Sequence, residues 1–253
     1  MAAVTTRAIV LRGHDYGDSS RILRFYTEAF GLLSVVAHGV RGRTGKGAGV
    51  ASSFSSGELT AHVRPHRDLH TMKEFAASTT RDALGRDMLR FAGASVASEL
   101  VLGHAEQERH EGLFEALEAT LDRIESADTQ DLPAVVLGGL WTLIDTLGFA
   151  PQVEACVRCG RMLGAAEVGR FDVVSGGVRC ESCAESSNGP RMGPIARGQI
   201  AAMLARETPR PLTHARQHFS LVADFLAHHL VAKPLKSLPF LTGLLPADTA
   251  AQT

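Results

Sequence analysis

Long apolar runs are missing from this chain. Its most apolar stretch, VVLGGLWTLI at residues 135–144, is ten residues long and is followed by Asp145. About 30 Å of hydrocarbon needs roughly twice that length, so no membrane span is expected. The opening MAAVTTRAIVLRGHDYGDSS meets charged and polar residues before any apolar segment long enough for a secretory signal, which makes the cytoplasm the expected compartment. Four cysteines in 253 residues are too few for a miniature disulfide scaffold, and a hydrophobic fraction of 45% excludes a disordered chain. Lysine is scarce: Lys46, Lys73, Lys233 and Lys236 stand against 22 arginines. Because the arginines are spread through the whole chain, compositional bias explains them more simply than a binding role at every position.

Recognisable catalytic equipment is also missing. There is no GxSxG elbow, no HExxH and no pair of carboxylates in a catalytic pattern, and the phosphate loop GxxxxGK[ST] is absent. His228 and His229 are adjacent rather than four apart, which fits a packing or capping role near a helix end, and Trp141 reads as packing material. A non-catalytic protein is therefore expected.

The formal charge of −1 hides a strong partition. Residues 1–80 carry 10 basic and 6 acidic groups, residues 81–155 carry 5 and 14, and residues 156–253 carry 11 and 7. Net charges of +4, −9 and +4 follow, so two basic regions that attract a polyanion flank an acidic one that repels it.

Hydrophobic periodicity separates the same regions. Segments 5–11, 21–26, 32–37, 58–64 and 69–75 read as strands punctuated by Gly, Asp, Ser and Pro65. Five strands in about 75 residues fit the rhythm of an OB barrel, although periodicity alone does not separate it from an SH3-like barrel. After Phe75 the period moves towards 3.6, with Leu84, Met88, Phe91, Val96, Leu100 and Val101 expected on one apolar helix face. Further helices are expected over 112–124, 132–149, 195–206 and 213–233, the last stopped or kinked at Pro234. Most acidic groups of the middle region fall between apolar positions and read as a solvated outer face, with an acidic protein-binding surface as the alternative.

All four cysteines lie between helical regions, as CVRC at Cys156 and Cys159 and CESC at Cys180 and Cys183. Two C-x2-C pairs separated by twenty residues can point four thiolates at one Zn²⁺ in a closed tetrahedral shell. With no open coordination position, such a metal secures a fold and activates no water. Iron suits the same soft ligands, and an oxidising compartment would give disulfides instead. Phe171, Val173 and Val178 are expected to build a small hairpin between the pairs, with Gly160, Gly164, Gly176 and Gly177 supplying turns. Arg158, Arg161, Arg170 and Arg179 near this knuckle are either phosphate contacts or solvated surface groups.

The sharper polyanion signal is AHGVRGRTGKG at residues 37–47, where Arg41, Arg43 and Lys46 sit among four glycines. Separated cations on a glycine-rich loop can follow a phosphodiester backbone. Arg7, Arg12, Arg21, Arg24, Arg64, Arg67 and Lys73 would enlarge that patch if the barrel gathers them. Phe25, Tyr26 and Phe54 are candidate base-stacking groups, with one of the adjacent pair expected to face the core.

The order of these parts resembles the bacterial RecO recombination mediators. The resemblance rests on AIVLRGHDYGDSSRILRFYTEAFGLLSVVAHGVRG, on LFEALEATLDRI and WTLIDTLGFAPQVEACVRCG, and on GGVRCESC followed by the LKS segment, which together span nearly the complete chain. It implies a multidomain α+β protein: a five-stranded OB-fold DNA-binding domain over 1–80, the first part of a helical domain over 81–155, an inserted four-cysteine zinc knuckle over 156–190, and a C-terminal helical part over 191–253 that packs with 81–155. It further implies DNA contacts from Arg41, Arg43 and Lys46 with help from Arg7, Arg21 and Arg24, and one structural zinc on Cys156, Cys159, Cys180 and Cys183. Binding and annealing of single-stranded DNA, contact with double-stranded DNA, and loading of RecA onto DNA coated with single-strand-binding protein are implied as the activity. RecR and the C-terminal tail of single-strand-binding protein are the implied partners, and a nucleoid-associated place in the cytoplasm follows. The competing classes are a zinc-stabilised transcription or RNA-binding adaptor, a protein scaffold using the acidic helices, and a metal-dependent enzyme.

Overall fold

A computed structural model describes residues 2–39, 52–64, 66–104, 110–185, 189–230 and 234–245. The five expected strands form as β1 (Ala2–Tyr16), β2 (Ser20–Thr27), β3 (Gly31–Ala37), β4 (Ser56–Val63) and β5 (His70–Thr79). They close into a barrel in the order β1-β2-β3-β5-β4, with β1 paired to both β2 and β4. A single parallel seam, Val35 to His70 and Val36 to Thr71, joins β3 to β5. This connectivity selects the OB arrangement that periodicity had left open.

Alternation along the strands sends Val10, Leu23, Phe25, Leu33, Val35 and Leu59 into one cluster, each with at most 6% of its surface exposed. Full burial of one such side chain stabilises by about 1.5–3 kcal/mol. Gly57 sits at a bulge where β4 crosses β5, and a Cβ there would overlap the Ala76 carbonyl oxygen. The opposite face of the sheet also contains a covered row, Ile9, Tyr26 and Leu32, which are register partners across three strands.

Two helices share the compact unit formed by residues 1–125: α1 (Met88–His104) and α2 (Leu113–Ser126), the first packing against β1. Asp87 caps α1, its carboxylate accepting from the Arg90 N–H at 2.8 Å. The single apolar face expected over residues 84–101 is corrected by the structure. Leu84 belongs to a separate 3-10 turn (Asp82–Gly85), and Met88 and Phe91 are 62% and 46% exposed, whereas Val96, Leu100 and Val101 are buried. The first turn of α1 projects past the residues that bury the rest of the helix.

The second unit, residues 126–253, is organised around α3 (Leu132–Thr146), buried along nearly its whole length. It packs against α5 (Pro194–Leu204) and α6 (Ala215–His229). The expected hairpin is β6 (Gly169–Asp172) with β7 (Gly177–Arg179), extended by β8 (Arg191–Met192), and a short α4 (Glu181–Ala184) carries Cys183. Helix α6 ends at His229, ahead of Pro234, and α7 (Ser237–Leu244) follows. Trp141 is fully buried and meets Phe225 edge-on at 5.4 Å between ring centroids. Phe225 in turn meets Phe171 of the hairpin at 6.2 Å. His229 Nε2–H donates to the Val173 carbonyl at 2.6 Å, so the histidine at the helix end ties α6 to the hairpin. No helix among the described residues is long and apolar enough to cross a membrane.

Candidate metal centre and nucleic-acid surface

Each C-x2-C pair closes its own turn. The Gly160 N–H donates to the Cys156 carbonyl at 2.9 Å, and the Cys183 N–H donates to the Cys180 carbonyl at 3.0 Å. Gly160 has φ +73°, a left-handed backbone that glycine adopts without strain. The hairpin register Phe171 to Val178, with both side chains fully buried, brings the second pair up to the first. The four Sγ atoms lie within 4.8 Å of one another, Cys156 and Cys180 buried, Cys183 half-buried and Cys159 exposed.

These distances fit a tetrahedral S4 shell. Ligands at about 2.3 Å from a central zinc stand about 3.8 Å apart from each other, and Cys159 Sγ is 3.8 Å from Cys180 Sγ. A disulfide would need about 2.05 Å. Hydrogen bonds from Ser182 and Cys183 pull the Cys180 thiol down to about 6. Burial raises that of Cys156, but the N–H groups of Cys180, Cys159 and Arg158 outweigh it and lower the thiol overall. The hydrogen bond to Cys180 pushes Cys183 up to about 12, so its proton is held by the negative charge beside it. A cluster that ionises in part and resists ionising further is one that a soft divalent cation completes.

The frame around the cluster engages Arg161, Arg170 and Arg179, three of the four arginines that the sequence offered as phosphate contacts. Arg161 grips Glu167 through two nitrogens at 3.0 and 2.6 Å, and the Gly164 and Glu181 N–H groups donate to the same carboxylate. The Arg161 guanidinium and those N–H groups hold Glu167 down at about 2. Arg179 pairs with Asp172, and Arg170 donates to the Gly189 carbonyl at 2.9 Å. Buried Arg197 donates to the carbonyls of Gly164 and Glu167 at 2.7 and 3.0 Å. These bonds tie the loops of the frame together.

On the barrel the expected contact residues separate. Arg41, Arg43 and Lys46 lie outside the described residues. Arg7 is engaged within the protein: its guanidinium is 2.5 Å from Glu118, 3.5 Å from Glu28 and 4.6 Å from the centre of the Phe114 ring. Arg21 is the register partner of Asp15 and pairs with it at 3.4 Å. Strand alternation puts Arg21 on the same face of β2 as Leu23 and Phe25, at the end of the barrel, and Arg24 on the opposite face. A register shift between Val10 and Arg12 turns Arg12 outward directly opposite Arg24, with Ser34 next in the row. Two like charges facing each other across strands destabilise a sheet unless an anion lies between them. This pair is the cationic feature that the register assembles and that sequence reading had left scattered in a longer list.

Phe25, Tyr26 and Phe54 are 0%, 1% and 4% exposed, so none of these stacking candidates presents a ring face to solvent. The adjacent pair Phe25 and Tyr26 alternate as expected, but the outer face at Tyr26 is itself covered, and burial beside Glu115 raises its phenol.

Comparison with known proteins agrees with this architecture. The family model described as "Recombination protein O N terminal" matches residues 1–80, and "Recombination protein O C terminal" matches residues 85–239. A "DNA repair protein RecO" from Anaeromyxobacter sp. (strain K) is 32% identical over 245 residues, covering 91% of this chain and 92% of the relative. Proteins of the same description from Desulfatibacillum aliphaticivorans and Syntrophus aciditrophicus are each 28% identical, covering 96% and 93% of this chain and 98% and 94% of themselves.

Proposed function

Because the chain belongs to the RecO family of non-catalytic recombination mediators that act on single-stranded DNA, we propose that it binds and anneals single strands through its barrel unit and helps load RecA onto DNA coated with single-strand-binding protein, together with RecR. The observation that carries the DNA surface is the Arg12–Arg24 pair, set across β1 and β2 on the outer face. The cations Arg41, Arg43 and Lys46, which lie between β3 and β4 in the sequence, and Arg21 are proposed as further DNA contacts. Neutralising repulsion between two bound strands raises the chance of productive pairing, while base pairing itself supplies sequence choice.

The four-cysteine cluster is proposed to hold one Zn²⁺ whose role is to fasten the knuckle. When bound, the ion supplies four metal–sulfur bonds and no reactive water. For the tail of single-strand-binding protein, the supporting feature is a cavity of about 460 Å³ between α6 and α7. Phe219, Leu226, Leu235 and Leu238 line it, and Arg216 stands within it with a guanidinium donating to the Leu245 carbonyl at 2.6 Å. Apolar walls beside a cation suit a peptide that ends in an apolar residue and a carboxylate. The protein is proposed to work in the cytoplasm at the nucleoid.

A strand-annealing assay tests the reading. Complementary oligonucleotides coated with single-strand-binding protein should anneal faster with the intact chain and without nucleotide hydrolysis. Arg41→Ala with Arg43→Ala should slow that reaction. No acceleration by the intact chain would overturn the function, whereas equal acceleration by both forms would remove only the loop from the contact surface.

A further inference from the structure

With Phe25, Tyr26 and Phe54 buried, the barrel unit needs another surface if it is to touch bases as well as phosphates. The first turn of α1 supplies one. Phe91 is 46% exposed, and Met88, three residues earlier and therefore on the same helix face, is 62% exposed. Beneath Phe91 lies Phe54, edge-on at 5.6 Å between ring centroids and 69° between planes. A cavity of about 220 Å³ opens beside the two rings, with Ser53, Thr80 and Asp82 on its walls.

The walls of this cavity are held firmly. Phe54 N–H donates to the Val10 carbonyl at 2.7 Å, and its own carbonyl accepts from buried Arg81 at 2.6 Å. Two residues beyond Val10 on β1 stands Arg12, opposite Arg24. An exposed ring, hydroxyl and carboxylate groups on the walls, and a guanidinium pair across β1 and β2 together match the chemistry of a nucleotide: a flat base with polar edges and an anionic phosphate.

We propose that this cavity receives one unstacked nucleobase of bound single-stranded DNA, with the base lying on Phe91. The site rests on the DNA-binding reading above and adds to it a contact that cations alone do not make. Stacking on a phenyl ring is tolerant of sequence, since every base has an aromatic face, which suits a protein that must accept any strand.

The experiment compares the intact chain with Phe91→Ala and Phe91→Tyr on two probes of equal length and charge, a thymidine oligonucleotide and its fully abasic counterpart. Phe91→Ala should weaken binding to the thymidine strand by about 5-fold or more and leave binding to the abasic strand unchanged. Phe91→Tyr should bind both strands like the intact chain. Equal losses on both strands, or no loss on either, would overturn the base site while leaving DNA binding in place. The second of those results accompanied by lost protein binding would assign the exposed ring to a protein partner. Failure of the intact chain to bind either strand would overturn the DNA-binding reading and this site with it.

Discussion

Arg81 Nε donates to Asp122 Oδ1 at 2.7 Å, with the arginine side chain 1% exposed and the aspartate 53% exposed. The same guanidinium donates to the Phe54 carbonyl at 2.6 Å and the Ser56 hydroxyl at 2.7 Å. A cation is thus buried where the end of β5 meets the start of β4, and α2 supplies its counter-charge. Both Arg81 and Phe54 hold left-handed backbones, φ 49° and 71°, which non-glycine residues adopt at a cost and only when neighbours enforce them.

The two ends of this pair should respond unequally to mutation. Asp122→Ala leaves a buried guanidinium without its carboxylate, expected to destabilise by on the order of 3 kcal/mol, somewhat reduced because water reaches the aspartate side. Arg81→Met removes the charge together with its hydrogen bonds, at about 2 kcal/mol. Hydrogen exchange of the β4 and β5 amides, with chemical denaturation alongside, checks the order. A clearly milder effect of Asp122→Ala would show that solvent, and not the carboxylate, compensates the cation.

Metal content should be about one zinc per chain after loosely bound ions are removed, and Cys180→Ser should abolish stable loading. The single tryptophan reports the consequence. Trp141 touches Phe225, and Phe225 touches Phe171 of the hairpin, so stripping the ion with a strong chelator should alter Trp141 emission and restoring zinc should reverse the change. A chain purified without zinc, or an emission spectrum indifferent to chelation, would count against a metal-fastened knuckle.

His70 gives the barrel a dependence on acidity. Its Nδ1 accepts the Arg64 N–H at 3.2 Å, a bond available only to the neutral ring with its proton on Nε2. Burial, partly offset by Asp68, lowers its folded value below the unfolded value of about 6.5. A histidine lowered in this way contributes stability that is complete above the unfolded value and is lost as pH falls through the folded one. Ring resonances of His70 should therefore titrate with a midpoint under about 6.5, and weakening of the β4–β5 turn should follow that midpoint. A midpoint above the unfolded value would reverse the sign and refute the account.

The barrel was legible because its strands alternate cleanly and glycines separate them, and the metal centre because C-x2-C spacing constrains thiols whatever surrounds them. Other features depend on partners far away in sequence. Nothing local to Arg7 announces Glu118, and nothing local to Arg161 or Arg179 announces that Glu167 and Asp172 take up their charge. Phe91 fits an apolar helical period as well as Val96 does, yet only Val96 has protein over it. Tyr26 shows the converse: alternation sends it outward, and a second layer covers the outside. The Arg12–Arg24 pair needed a register shift of one residue, which periodicity does not reveal.

The double pairing of β1 also sets a timetable for synthesis. Its contacts with β2 and the β2–β3 pairing are local and can form as soon as those strands leave the ribosome. The other edge of β1 must wait for β4, whose Val63 pairs with Ala2, and β3 must wait for His70 and Thr71 of β5. At about 5–20 residues per second the three-stranded meander stays open on both edges for several seconds. During that interval Ile9, Val10 and Leu11 lie on a strand with one unpaired backbone edge, an invitation to aggregation. The Arg7–Glu118 and Arg81–Asp122 bonds arrive later still, when α2 emerges. The nascent barrel therefore acquires its closure in two stages, first by backbone pairing and then by side-chain locks, and slower translation across residues 38–63 would lengthen its exposed phase.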